Sequence, residues 1–249
     1  MKHVYLPILL SLVLVPVAAR PAQAQTADDV IQKHIAAIGG RDALSKITSR
    51  RSTGTITIAT AQGNISGDVE FDGKAPNKSR VAMALDLSAM GVADKMMVDT
   101  KFNGTTGVSL NSLQGDSELS GNQLDNMRNN VFPTSLLTYK ELGFTMELLP
   151  KEKVNGKDAF VIRATPKAGS TTKLYFDAVS YMLVKTVATV NVPMAGGDIE
   201  QTSEQSDFRK VDGITLPFMI VRSDPAQTAT IKLTKVEHNV ALDDRIFSK

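Results

Sequence analysis

The sequence predicts a mainly β protein built on one large, curled, antiparallel sheet with a few short helices. Three observations predict it. Apolar residues recur with period two over most of the chain, the spacing of half-buried strands. The runs are separated by hairpin-length clusters of Asn, Gly, Asp and Pro, with Asn155-Gly156 and Asp212-Gly213 as two-residue turn signals. Roughly eleven or twelve runs can be counted, near the size at which an open sheet must curl. No link between them is long enough for a parallel crossover.

The elements follow in order. Residues 1–24 carry Lys2, an apolar run from Val4 to Ala19 and the small-residue site Ala22-Gln23-Ala24, the three-part pattern of a cleaved export signal. A membrane anchor would need about 20 unbroken apolar residues, and Pro7 and Pro16 interrupt the run. A helix opens at the capping-box pair Thr26 and Asp29, repeats Ile31, Ile35 and Ile38 on one face, and stops at Gly39-Gly40. A second short helix is expected from Arg41 to Ile47. Strands then run to about Leu110. Ser120 and Gln123 form another capping-box pattern, with Leu124, Met127 and Val131 on one helical face, and a further helical piece ends at Gly143. Strands resume to the C-terminus. Pro217 stands inside the run "ITLPFMIV" and has no N–H for a ladder, so its strand is expected at a margin or a bend.

Removing residues 1–24 takes away Lys2 and Arg20 and no acid, so the net charge falls from +2 to zero over the remaining 225 residues, expected as a single domain. That balance argues against a nucleic-acid partner. The chain has no cysteine, which favours a bacterial periplasmic domain large enough to dispense with disulfides. The N-x-S/T matches at Asn64, Asn77 and Asn103 are read as turn chemistry.

Five stretches in order carry a family resemblance: Ile35 to Ile56, Tyr139 to Pro166, Leu174 to Asp177, Asp207 to Phe218 and Glu237 to Phe247. With them the chain resembles the LolA-like family of periplasmic outer-membrane lipoprotein-sorting proteins. The resemblance implies an unclosed half-barrel whose concave face is covered by short helices, with residues 120–143 as a lid. It also implies a non-catalytic carrier in the periplasm, whose partners are the acyl chain of a lipoprotein or another hydrophobic ligand and envelope membrane proteins for loading and release. The chain departs from the family pattern at Val108, where relatives carry tryptophan, and at Tyr181, where glycine is common. Both positions are expected to shape the concave face.

The residues themselves agree with a greasy cavity. Nine methionines follow Met1, there is no tryptophan, and unbranched thioethers adapt to changing apolar partners. The methionines on strands are expected to face one side, toward the lid. The candidate cavity residues are Leu85, Met96, Val98, Phe102, Leu124, Met127, Leu137 and Phe176.

Catalytic readings find little. His34 and His238 are the histidines beyond residue 24, and both are expected to be structural or exposed. No nucleophile elbow, zinc motif or cysteine cluster occurs, and no cofactor or metal is expected. Asp243-Asp244 is read as the cap of a final turn, the glycine-rich stretch Met194 to Asp198 as a loop between strands, and Arg50-Arg51 as a solvated pair. Two other functions fit the same composition: an envelope interaction scaffold without a lipid ligand, and a hydrolase centred on His238.

Overall fold

The structure, a computed structural model, describes residues 25–192 and 197–249. The expected export signal lies outside the described residues, as does the 193–196 part of the glycine-rich loop. Among the described residues there are three α-helices: α1 Ala27–Ala37, α2 Arg41–Ser45 and α3 Gly121–Asn129. The strands are β1 Ser49–Thr60, β2 Gly63–Lys74, β3 Lys78–Asp86, β4 Met96–Phe102, β5 Gly107–Asn111, β6 Ser117–Glu118, β7 Thr145–Val154, β8 Lys157–Thr165, β9 Thr172–Asp177, β10 Leu183–Val192, β11 Gly197–Val211, β12 Ile214–Ser223 and β13 Gln227–His238. They form a 13-stranded antiparallel sheet in the order β6-β5-β4-β3-β2-β1-β13-β12-β11-β10-β9-β8-β7. The N- and C-terminal strands meet at the centre, and the sheet is unclosed, with free edges at β6 and β7. Among the described residues, no helix is long and apolar enough to cross a membrane.

Strand alternation sorts side chains onto two faces. On the inner face Ile56, Val69, Leu85 and Ile231 are buried together, flanked by Ile58, Phe71, Val81, Met83 and Met96. Farther along the same face Phe160, Ile162, Phe176 and Ile214 pack against Val30, Ile31 and Ile35 of α1 and against Leu44 and Ile47. Outward-facing positions of β1 to β4 carry a charge ladder. Arg51 donates to both oxygens of Asp72 at 2.7 and 3.0 Å, and Arg80 donates to both oxygens of Asp99 and to Glu70.

Close approach of strands requires glycine at two points. A Cβ on Gly54 would lie 2.2 Å from the carbonyl oxygen of Lys232, and one on Gly67 would lie 2.0 Å from that of Ala84. Gly54 sits where the β1–β13 register shifts, so the sheet bends there.

Pro217 lies at a bend. β12 pairs with β11 along its length but with β13 only from Met219 to Ser223. In its first half the side that would meet β13 faces the α1–α2 loop, where the N–H of Thr215 donates to the carbonyl of Ile38 at 2.9 Å. Two residues on, Pro217 faces the same gap, so its missing N–H removes no ladder bond.

Several local expectations hold and others are corrected. Thr26 and Asp29 form the capping box of α1, and Asp243 caps the turn Asp244–Phe247. The Ser120 side chain makes no cap bond, and Gly121 enters α3 at a φ of +51°. The helical piece after Pro133 is only the 3-10 turn Ser135–Leu137. The methionines do not share one side. Met96 faces inward while its neighbour Met97 is half exposed, as alternation demands, and Met90 is exposed beyond β3.

Candidate functional site

α3 has no buried residue and bridges two rims of the sheet by polar contacts. Asn126 Nδ2 donates to Ser170 Oγ at 3.1 Å, Asn126 Oδ1 accepts from Ser170 N at 2.8 Å, and Asn129 Nδ2 donates to Ala168 O at 2.7 Å. At the opposite rim Arg128 donates to the carbonyl of Thr105. Gly169 is required here, since a Cβ would lie 2.7 Å from Asn126 Oδ1 and its φ is +98°. The segment then returns across the concave face. Phe132 covers Gly73, and Tyr139 and Lys140 both donate to Asp28 on α1, which holds that carboxyl below the usual carboxylate range.

Beneath this cover are two adjoining hollows. One, of about 350 Å³, has walls of Leu136, Phe144, Met146, Leu174 and Leu183, with Asn126 and Asn129 at its rim. The other, of about 250 Å³, lies between α1, α2, β1 and β12 and is lined by Ile38, Leu44, Ile47, Ile214 and Leu216 together with Arg50, His34 and His238. Thr134 and Leu183 line both. The first volume falls in the range of small-ligand sites, about 300–1,000 Å³, and the second lies just below it.

Both histidines are buried. His34 Nδ1 donates to the carbonyl of Tyr181 at 2.8 Å, and its ring lies 5.0 Å from that of Phe176. Burial holds the His34 pKa below the ordinary histidine value, and the carbonyl bond only partly opposes that. The His238 side chain is 2% exposed; Nδ1 lies 3.2 Å from Asp212 Oδ2, and Nε2 is buried without a partner. Burial lowers the His238 pKa, Asp212 opposes that, and Arg50 adds to it.

The eight expected cavity residues scatter over the concave side. Leu85, Phe102 and Phe176 are fully buried, and Met96, Val98, Leu124, Met127 and Leu137 are half-buried. None lines either of the two hollows; Leu124 lines a separate cleft of about 540 Å³ near β5, β6 and the C-terminal tail. The walls that the sequence reading missed, Met146, Leu174 and Leu183, alternate inward on β7, β9 and β10, and that period was available in the sequence. Of the two departures, Val108 pairs with Lys101 on the outer face, so it does not shape the hollow. Tyr181 takes a φ of +58° in place of glycine and stacks on Phe160 at 5.6 Å. Arg50-Arg51 is not a solvated pair: Arg51 joins the outer charge ladder and Arg50 enters the second hollow.

A 13-stranded unclosed sheet with helices across its hollow side has counterparts among solved structures. A LolA superfamily protein of Nitrosomonas europaea superposes with a TM-score of 0.58 at 15% identity, over 91% of this chain and 99% of that one. The fold is LolA-like. An outer membrane lipoprotein-sorting protein domain of Vibrio parahaemolyticus shares it with a TM-score of 0.56 at 13% identity, covering 88% of this chain and 95% of that one. A DUF1329 family protein of Desulfovibrio piger reaches 0.59 at 12% identity, covering 90% and 98%. No protein-family model matches the sequence, and no curated protein does. The LolA-like architecture is thus conveyed by shape at identities where little sequence is shared.

Proposed function

We propose that this protein is a non-catalytic carrier of the cell envelope that shelters an acyl chain, or a comparable hydrophobic ligand, under its lid. One observation carries the reading: an apolar hollow of about 350 Å³ lies between the concave sheet and a cover whose α3 part is held by side-chain hydrogen bonds rather than by buried apolar contacts. That part can lift while Leu136 and Tyr139 stay in the core. The fold shared with a lipoprotein-sorting domain supports the same reading, and so does the export signal expected over residues 1–24.

The magnitudes are suitable. Each buried CH₂ contributes about 0.8 kcal/mol, while lost motional freedom and lid opening subtract several kcal/mol. The remainder holds a chain in water and releases it to a better acceptor. No step requires a nucleophile or a metal.

The test is binding. Native mass spectrometry of the purified protein is expected to show co-purifying lipid or uptake of an added acyl probe. Leu183→Trp, placed where the two hollows meet, is expected to weaken probe binding at least about tenfold, about 1.4 kcal/mol, with thermal stability nearly unchanged. Protein that takes up no acyl probe would remove the carrier reading.

A further inference from the structure

We propose that the hollow holding Arg50 and His238 is a head-group site. It takes the negatively charged end of a single-chain amphiphile whose apolar tail runs past Thr134 and Leu183 into the hollow under α3. The inference rests on the carrier reading and names the ligand class within it.

Arg50 is the first observation. It lies half-buried on the inner face at the start of β1 and lines the second hollow. Among the described residues it has no carboxylate within salt-bridge distance, and its recorded neighbour is the ring of Phe132, 5.5 Å from the guanidinium carbon. Burial pulls its pKa down from the ordinary arginine value. Arg51, one residue on, has Asp72 and Glu70. A half-buried charge beside Ile38, Leu44, Ile47 and Ile214, with no acidic partner of its own, favours an anion that joins it.

The distribution of acids is the second. On β1 to β4, β12 and β13, each Asp and Glu with a ladder partner sits at an outward position: Asp68, Glu70, Asp72, Asp86, Asp99 and Glu237. The strands around Arg50 therefore place no carboxylate on its side of the sheet.

His238 is the third. It is the ladder partner of Arg50, and its Nε2 is a buried polar atom with nothing bonded to it. With the ring neutral, Nδ1 donates to Asp212 and Nε2 is left as an acceptor. Once protonated, the ring donates through both nitrogens and Nε2 can meet an anion. Arg50 thus carries the charge recognition, and His238 adds to it when protonated. Charge-assisted bonds of this kind are about twice as strong as neutral ones. His34, across the hollow, is held neutral by burial, which its bond to Tyr181 only partly opposes, and with Nδ1 donating it offers only an acceptor.

The experiment compares chain-matched ligands on the purified protein stripped of lipid: dodecanoate, dodecyl phosphate, dodecanol, and inorganic phosphate alone, by calorimetry. Both anionic amphiphiles are expected to bind at least about tenfold more tightly than dodecanol, about 1.4 kcal/mol. Arg50→Met is expected to abolish that difference and leave dodecanol affinity intact. Arg50→Lys is expected to keep part of the preference. Equal affinity for all three chains in the native protein overturns the head-group site while leaving the carrier reading in place. Failure of all three to bind removes both. Phosphate alone binding as tightly as dodecyl phosphate overturns the amphiphile in favour of a free anion.

Discussion

Arg50 and Arg51 are chain neighbours in opposite surroundings, because successive side chains of a strand leave on opposite faces. The doublet is visible in the sequence, but which member turns inward depends on the register of β1 against β2 and β13. His34 has a similar history. Its place beside the apolar stripe of α1 was readable, whereas its bond to Tyr181, 147 residues away, was not. The burial that keeps His34 neutral makes a prediction about pH. Its folded pKa lies below the unfolded value of about 6.5, so the unfolded chain binds the proton more readily. Stability is therefore fully present above the unfolded pKa and is lost as pH falls toward the folded one. The urea midpoint is expected to decline between about pH 7.5 and 5, a window above the titration of the carboxylates. His34→Gln is expected to flatten that decline without abolishing it, because His238 contributes with the same sign. An unchanged slope in the variant would assign the effect elsewhere.

At the scale of elements, α3 is a helix that tertiary contacts hold in place. Nine residues without a buried side chain are too few to be helical in isolation. Asn126 and Asn129 attach it to the β8–β9 loop, and Arg128 attaches it to the β4–β5 turn. The sequence showed the helical spacing of Leu124 and Met127 and so suggested an apolar underside, but the structure anchors the helix through its amides. The double variant Asn126→Ala/Asn129→Ala is expected to raise hydrogen exchange across residues 121–131 at least about tenfold, about 1.4 kcal/mol, and to speed exchange of a bound acyl probe. The thermal midpoint is expected to fall by only a few degrees. Unaltered exchange would mean that the asparagines do not hold α3.

For the whole molecule, the bent sheet is secured by its last residues. After β13 the chain turns along the outer face, where Lys74 Nζ donates to Leu242 O and Asp244 Oδ1, both at 2.8 Å, and Lys78 pairs with Asp244 at 2.9 Å. Phe247 is 1% exposed in a turn packed against β3 and β4. Phe247→Ala is expected to cost about 3–5 kcal/mol, measured by urea unfolding, whereas loss of the exposed Lys249–Asp116 pair is expected to cost under about 1 kcal/mol. By itself the sequence determined the class of fold, because period-two alternation, hairpin turns and strand number are local properties that leave a large sheet no choice but to curl. The capping box of α1 and the turn cap at Asp243 were legible for the same reason. Tertiary structure decided where the hollow lies, that its walls are Met146, Leu174 and Leu183, and that Arg50 and His238 stand side by side within it. Those facts depend on register between distant strands and on where the cover lands. A shift of one residue in pairing would send each of those side chains to the opposite face.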